Sequence, residues 1–219
     1  MNNSHGILFE TSSGLVNFVV IEENLTQLYD FCKKTLIFTN NEIENLNKQV
    51  SNHSYDANNL YFLNKDDEEI FDSGVYKEGL ENFLIPQWKE NYNFIAPSMF
   101  LVMLWILLEK SLKDLAYSFS SGTTSVEIPK GEKFKIKVKD KESIVDAALR
   151  YLKETNHFNF ELDNDVINLL EICRTVRNDF AHGDWINVKH SINSIELDDA
   201  FRTVSKIFHS LESGIPSKK

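Results

Sequence analysis

Three residues near the end of one predicted helix carry side chains that could act on an anionic group. Arg177 offers a planar, permanently charged guanidinium, which binds phosphate or carboxylate through paired hydrogen bonds. His182 offers an imidazole, the side chain that exchanges protons near neutral pH, and Asn178 directly follows the arginine. Each residue also has a structural interpretation, because an arginine can pair with a buried acid and a histidine can cap a helix end.

The segment 166–183 that carries these residues predicts an amphipathic helix. At about 100° per residue, its apolar side chains fall on one stripe, made of Val166, Leu169, Leu170, Ile172, Cys173, Val176 and Phe180. Arg177 falls inside the stripe and Arg174 on its border. Because a guanidinium taken out of water needs a partner, this position indicates either a buried carboxylate such as Glu109 or a use for the charge. Gly183 predicts that the last turn unwinds, which would bring His182 back towards Arg177.

The string Arg177-Asn178-Asp179-Phe180-Ala181-His182 fits an Arg-x4-His signature and resembles the HEPN superfamily (higher eukaryotes and prokaryotes nucleotide-binding). An apolar helix with a central Leu-Glu-Lys at 108–110 and the segment AALRYLKET precede it, as in several HEPN proteins. The resemblance covers about residues 95–212. It implies a mainly α-helical bundle that dimerises, with two copies of the motif facing each other.

The same resemblance implies a metal-independent endoribonuclease without a cofactor. Arg177 would hold the scissile phosphate, His182 would move protons as general acid or base, and Asn178 would orient the histidine or pack the helix end. The RNA 2′-hydroxyl would be the nucleophile. Family members act in phage defence, abortive infection and toxin–antitoxin pairs, so RNA such as tRNA, a homodimer and an antitoxin or other regulator are the expected partners.

Two other interpretations remain open. A HEPN-like scaffold could dimerise and bind a partner or nucleotide without cutting RNA, and the net charge of −10 modestly favours it. Alternatively, the motif is accidental and Arg177 pairs with a buried acid. One HEPN toxin subfamily carries a tyrosine two residues after the histidine, which a partner enzyme modifies. This chain has Asp184 there, so that form of inhibition is not expected.

The remaining sequence divides into an acidic N-terminal region, 1–95, of no assigned role, and a helical domain, 96–219. Residues 1–97 carry 6 Lys and Arg against 15 Asp and Glu, whereas 98–219 carry 17 against 18. Apolar periodicity predicts helices at 23–50, 99–119, 142–155 and 194–211, with Ser98 capping the second. The polar stretch 51–72 predicts a connector, and the apolar run at 15–21 fits a strand or a helix start.

A small β segment is expected near 126–139, where lysines alternate with apolar residues. Its lysines, Lys133, Lys135, Lys137 and Lys139, could attract RNA together with Arg174, although lysine also protects edge strands from pairing. The two cysteines have no metal-type spacing and predict reduced core residues. No secretion signal is recognised, and the most apolar run, 99–108, is too short to span a bilayer. A cytoplasmic location without a membrane is therefore expected.

Overall fold

The computed structural model describes residues 8–52, 77–123, 126–155, 158–193 and 195–216, and these are mainly helical. The helices are α1 (Val16–Asn52), α2 (Ile85–Glu90), α3 (Ala96–Ser121), α4 (Ile144–Glu154), α5 (Asn164–His182), α6 (Trp185–Ile192) and α7 (Leu197–Ser213), with π-helical turns at Leu80–Leu84 and Asn91–Ile95. The predicted all-helical character is confirmed. The last helix predicted, at 194–211, corresponds to α7, whereas α6 was not predicted from the sequence.

By its internal contacts the chain forms two compact units, one of Met1–Phe31 with Ser98–Lys219 and one of Cys32–Pro97. The first unit contains the Arg-x4-His segment. The sequence predicted a division at residue 95, between a region of no assigned role and a helical domain. That division concerns function as well as packing, and it stays a prediction.

The core of the first unit is built from side chains that recur at helical spacing. On α1 the buried residues Phe18, Ile21, Leu25 and Tyr29 follow each other at three- and four-residue steps, which settles the apolar run at 15–21 as a helix start. The Tyr29 ring meets Phe201 of α7 edge-on at 5.0 Å. Burial of this face stabilises α1 here despite its β-branched residues.

The second unit contains the C-terminal part of α1 and the helical residues 77–97. Its buried cluster consists of Leu46, Leu80 and Ile85, with Val50 and Trp88 packed against it. A π-helical turn precedes each proline, Pro86 and Pro97. The helical path therefore continues through both prolines, because the wider turn changes the hydrogen bonding where a proline has no N–H to donate.

The sequence predicted that Ser98 caps a helix, and this prediction is wrong. The helical run continues through Pro97, so Ser98 lies within α3, where its side chain is fully buried. The run Lys77–Ser121 is the one helix in the described part that is long and apolar enough to cross a membrane by length and composition, and 44% of its most apolar window is buried inside the protein. The expected connector at 51–72 lies outside the described residues, apart from its first two, which end α1.

The β segment expected at 126–139 is wrong, since the described residues contain no strand. The alternation nevertheless has a structural cause. Phe134 is half-buried, with its ring 5.6 Å from that of Tyr117 on α3 and 5.8 Å from that of Tyr151 on α4, while the lysines on either side are exposed. Alternating burial against helices thus gives the same pattern as a strand, without a neighbouring strand to complete a hydrogen-bonded ladder.

A buried carboxylate ties the segment before α1 to α7. Glu212, 6% exposed, accepts hydrogen bonds from the Thr11 hydroxyl (2.5 Å), the Ser13 hydroxyl (2.5 Å) and the backbone N–H groups of Ser12 (3.0 Å) and Ser13 (2.9 Å). Burial by itself raises the pKa of Glu212, but the hydrogen bonds from Ser13, Thr11 and Ser12 outweigh it and lower that pKa to about 2. The ionised form is therefore the one that the fold stabilises.

Gly214 follows α7 at a point of close backbone approach. Its carbonyl accepts from the Asn159 N–H at 2.8 Å, and a Cβ at this position would lie 2.5 Å from the Asn159 carbonyl oxygen. Only glycine fits here without movement of the backbone.

Candidate active site on the Arg-x4-His helix

The helix that carries the motif is α5, as predicted. Val166, Leu170, Cys173 and Val176 are buried, and Leu169, Ile172 and Phe180 at the edges of the stripe are half-buried. Arg177, inside the predicted stripe, is also half-buried. The apolar face of α5 packs within the first unit, where α5 contacts α6 and α7. The predicted wheel is thus confirmed by burial.

The end of α5 corrects one expectation. Gly183 has a left-handed backbone (φ 73°), its N–H donates to the Phe180 carbonyl, and the Asp184 N–H donates to the Asp179 carbonyl at 2.9 Å. These bonds form a Schellman motif, which ends the helix without unwinding the turn before it. The helix therefore remains intact through His182. The expected swing of the imidazole back towards Arg177 does not occur.

An intact helix separates the two motif residues. Five residues at about 100° each place His182 about 140° around the axis from Arg177. His182 is exposed. It does not line the cleft that contains Arg177. Within one chain, the guanidinium and the imidazole therefore lie on different sides of α5.

Arg177 lies in an open cleft of about 520 Å³ between α3, α5 and the start of α4. The lining residues are Trp105, Glu109, Lys141, Glu142, Ser143, Ile144, Arg174, Thr175, Arg177, Asn178 and Asp179. Most of this lining is polar or charged. Such a cleft suits a charged or hydrogen-bonding ligand better than an apolar one.

Two of the acids in the cleft are neutralised by cations that do not line it. Glu142 accepts from Arg150 Nε at 2.7 Å, and Glu109 accepts from Lys113 Nζ at 3.3 Å. The hydrogen bonds from Arg150 and from the Lys139 backbone N–H lower the pKa of Glu142 to about 2. These carboxylates therefore add less repulsion towards an anion in the cleft than their number suggests.

Among the described residues, Arg177 forms no ion pair. Its Nη1 donates to the Oδ1 of the neighbouring Asn178 at 3.1 Å, an exposed hydrogen bond. The pairing with Glu109 considered from the sequence is absent, and Glu109 accepts from Lys113 instead. Asn178 thus contacts the arginine rather than the histidine, and the arginine keeps donors for a ligand.

The predicted RNA-binding residues occupy two places. Arg174 lines the cleft and lies 3.5 Å from Asp146 Oδ2, an ion pair on the surface. Lys133, Lys135, Lys137 and Lys139 are exposed and do not line this cleft. Their role in RNA binding stays a prediction.

Lys141 was missed by the sequence analysis, although it lines the cleft with Arg177. The alternating lysines before it predicted a strand, and this strand does not form. A usable signal was present, because Lys141 lies just before the Ser143 N-cap of α4, where the Ser143 side chain and Asp146 form a capping box. The start of α4 could therefore be located from the sequence, but its place beside α5 could not.

Apolar surface near the motif is available for a contact between two chains. Trp105 is 6% exposed and belongs to the cleft wall and the core, so it does not contribute to that surface. The exposed apolar side chains are Trp185 (48%) and Ile186 (83%), which follow His182, and Ile167 (43%) near the start of α5. Trp185 follows His182 by three residues, and its ring meets Phe180 edge-on at 5.2 Å.

No family model, curated protein or solved structure matches this chain. The assignment of a function therefore depends on the geometry of α5 and on the resemblance of its motif. Within the described ranges, no three His, Cys, Asp or Glu side chains are grouped so that they could hold a metal ion.

Proposed function

We propose that this protein is a metal-independent endoribonuclease of the HEPN type. One observation carries the proposal: Arg177 lies half-buried in a polar cleft with no ion-pair partner among the described carboxylates, and the same helix carries an exposed imidazole five residues later. A guanidinium held in this way suits a phosphate, which its planar fork can bind through two hydrogen bonds.

The proposed reaction needs no added co-reactant. The RNA 2′-oxygen attacks the adjacent phosphorus while the bond from phosphorus to the 5′-oxygen breaks, leaving a 2′,3′-cyclic phosphate and a 5′-hydroxyl. Arg177 neutralises the charge on the phosphoryl oxygens. His182 takes the proton from the 2′-hydroxyl or gives one to the leaving oxygen.

Because Arg177 and His182 lie about 140° apart around α5, the proposed site combines residues of two chains. In a two-fold dimer, the imidazole of one chain can reach the phosphate held by the other. The exposed Trp185 and Ile186, next to His182, supply apolar surface for such a contact. The −10 charge of each chain opposes association, so this apolar contact has to outweigh the repulsion.

A second function is favoured by the same geometry. If the chain stays monomeric, the imidazole does not reach the cleft, and the protein would bind RNA or a nucleotide through Arg177 without cutting it. The two functions differ in one result, the appearance of cleaved RNA in the presence of EDTA.

The test uses purified protein with total tRNA and mRNA in EDTA, and end-group analysis of the products. We expect cleavage that leaves 2′,3′-cyclic phosphate ends and that is lost in both Arg177→Ala and His182→Ala. Arg177→Ala should change the free energy of unfolding by less than about 1 kcal/mol, because it removes one exposed hydrogen bond. Lys206→Ala is the matched control for loss of a single exposed positive charge away from the cleft.

Mixing the two inactive variants tests the composite site. Co-refolded Arg177→Ala and His182→Ala chains should regain part of the activity, since some mixed dimers contain one intact site. Wild-type protein that cuts RNA while sedimenting as a monomer would contradict the composite site. Intact RNA after incubation with a dimer would contradict the nuclease and leave the binding function.

The proposed cellular setting is phage defence or a toxin–antitoxin pair, with an antitoxin or another protein restraining the enzyme. Induced expression of the wild-type chain should then slow bacterial growth, whereas Arg177→Ala at the same protein level should not. Equal growth with both chains would contradict a toxic RNase.

A further inference from the structure

Lys141 is a second cation in the cleft that is not neutralised. It lines the same cleft as Arg177, is exposed, and forms no ion pair with any carboxylate that the structure describes. Its neighbour Glu142 is bound by Arg150, and Arg174 lies against Asp146. The cleft therefore presents two uncommitted positive charges, on Lys141 and Arg177.

The backbone at Lys141 adds a separate observation. In the described part of the chain it is the one residue other than glycine with a positive φ, at 63°. This left-handed conformation costs a lysine about 1–2 kcal/mol relative to glycine, and asparagine adopts it more readily. The turn alone would therefore favour another residue, which indicates that the lysine side chain has a use.

We infer that Lys141 binds a backbone phosphate of single-stranded RNA next to the phosphate held by Arg177. This inference rests on the proposed function. Arg177 offers a planar fork, which suits the reacting phosphate, whereas the ammonium of Lys141 is a mobile point charge that attracts a phosphate without fixing its orientation. Lys141 thus contributes affinity for the RNA and not the chemical step.

The polar lining supports an RNA backbone as the ligand. The amide NH₂ of Asn178 belongs to the same cleft and can donate to phosphate or ribose oxygens, whereas the Ser143 and Thr175 hydroxyls there already donate to Asp146 Oδ2 and to the Glu171 carbonyl. The cleft is open to solvent, which suits a strand longer than the cleft itself.

The probe is a fluorescein-labelled single-stranded RNA of twelve nucleotides with 2′-O-methyl groups, which removes the attacking hydroxyl. Its affinity for Lys141→Ala, measured by anisotropy, should fall about five- to tenfold from that of the wild type. The slope of log affinity against log salt should become shallower by about 0.7, as expected for loss of one phosphate contact to a single strand. Lys206→Ala, which removes an exposed lysine of α7 that does not line the cleft, should bind as the wild type does. Circular dichroism and thermal unfolding confirm that both variants are folded.

A second measurement separates this inference from the proposed function. With cleavable RNA, Lys141→Ala should raise KM about five- to tenfold and leave kcat unchanged. If the wild type cuts RNA and Lys141→Ala does so with an unchanged KM, or if Lys206→Ala is equally weakened, the inference is overturned while the nuclease stands. If the 2′-O-methyl RNA binds in a Lys141-dependent way but the wild type cuts no RNA, the nuclease is overturned while the phosphate contact stands.

Discussion

Replacement of Glu212 by glutamine should destabilise the protein strongly at neutral pH and much less in acid. The Glu212 carboxylate accepts hydrogen bonds from the hydroxyls of Thr11 and Ser13 and from the backbone N–H groups of Ser12 and Ser13. Its pKa falls from 4.5 to about 2 on folding, and each unit corresponds to about 1.4 kcal/mol. The ionised carboxylate therefore contributes about 3 kcal/mol at pH 7.

The pH dependence follows from the direction of that change. A carboxylate whose folded pKa lies below its unfolded value stabilises the fold fully above about pH 4.5, and this contribution is lost as the pH falls from 4.5 towards 2. Glutamine cannot ionise, and its NH₂ group would face the hydroxyl and N–H donors that the carboxylate oxygen accepts from, so those hydrogen bonds would be lost. Glu212→Gln should therefore lose about 3 kcal/mol at pH 7, and its difference from the wild type should shrink steadily below pH 4.5.

The assay is urea unfolding followed by circular dichroism at pH 7, 5.5, 4 and 3, with the free energy of unfolding extrapolated to water. Glu161→Gln is the matched control, because Glu161 is exposed and its removal changes the net charge equally. A loss below about 1 kcal/mol for Glu212→Gln at pH 7 would contradict the reasoning. So would a difference between Glu212→Gln and the wild type that is the same at pH 7 and pH 3.

Two further changes test the packing and the charge balance of the same unit. Gly214→Ala should destabilise the protein by about 2 kcal/mol or more, measured by urea unfolding, because the new Cβ would overlap a backbone carbonyl. The control is Gly79→Ala, whose new Cβ would have no atom within 4 Å and which should have little effect on stability or increase it. Arg150→Met should weaken binding of the 2′-O-methyl RNA severalfold, because it leaves the Glu142 charge unneutralised in the cleft. Adding Glu142→Gln should restore that binding, and failure to do so would contradict the charge argument.

Helical periodicity predicted much of the fold. The stripe of α5 and the buried face of α1 follow from apolar spacing, because each helix buries one side against the core. The β segment failed for a physical reason: the alternation around Phe134 reports burial against the rings of two helices, and a single segment cannot show whether a neighbouring strand exists. The start of α3 was predicted after Pro97, which is too late. A π-helical turn before the proline lets the helical path continue, and residue spacing does not predict such a turn.

The candidate site was predictable only in part. Sequence spacing placed Arg177 on an apolar face, yet it could not show that Glu109 pairs with Lys113 and not with Arg177. The position of His182 depended on how the helix ends at Gly183. The position of Lys141 in the cleft depends on a turn and on a tertiary contact, and neither gives a periodic pattern in the sequence.

The two cysteines give each compact unit its own chemical reporter of opening. Cys32 and Cys173 are buried free thiols, and burial raises the pKa of each to about 12. The reactive thiolate is therefore scarce in the folded protein, and alkylation at pH 8 requires exposure of the side chain. Since Cys32 belongs to the unit Cys32–Pro97 and Cys173 to the other, the labelling rates of the two cysteines, resolved by peptide mass, would measure how often each unit opens under native conditions.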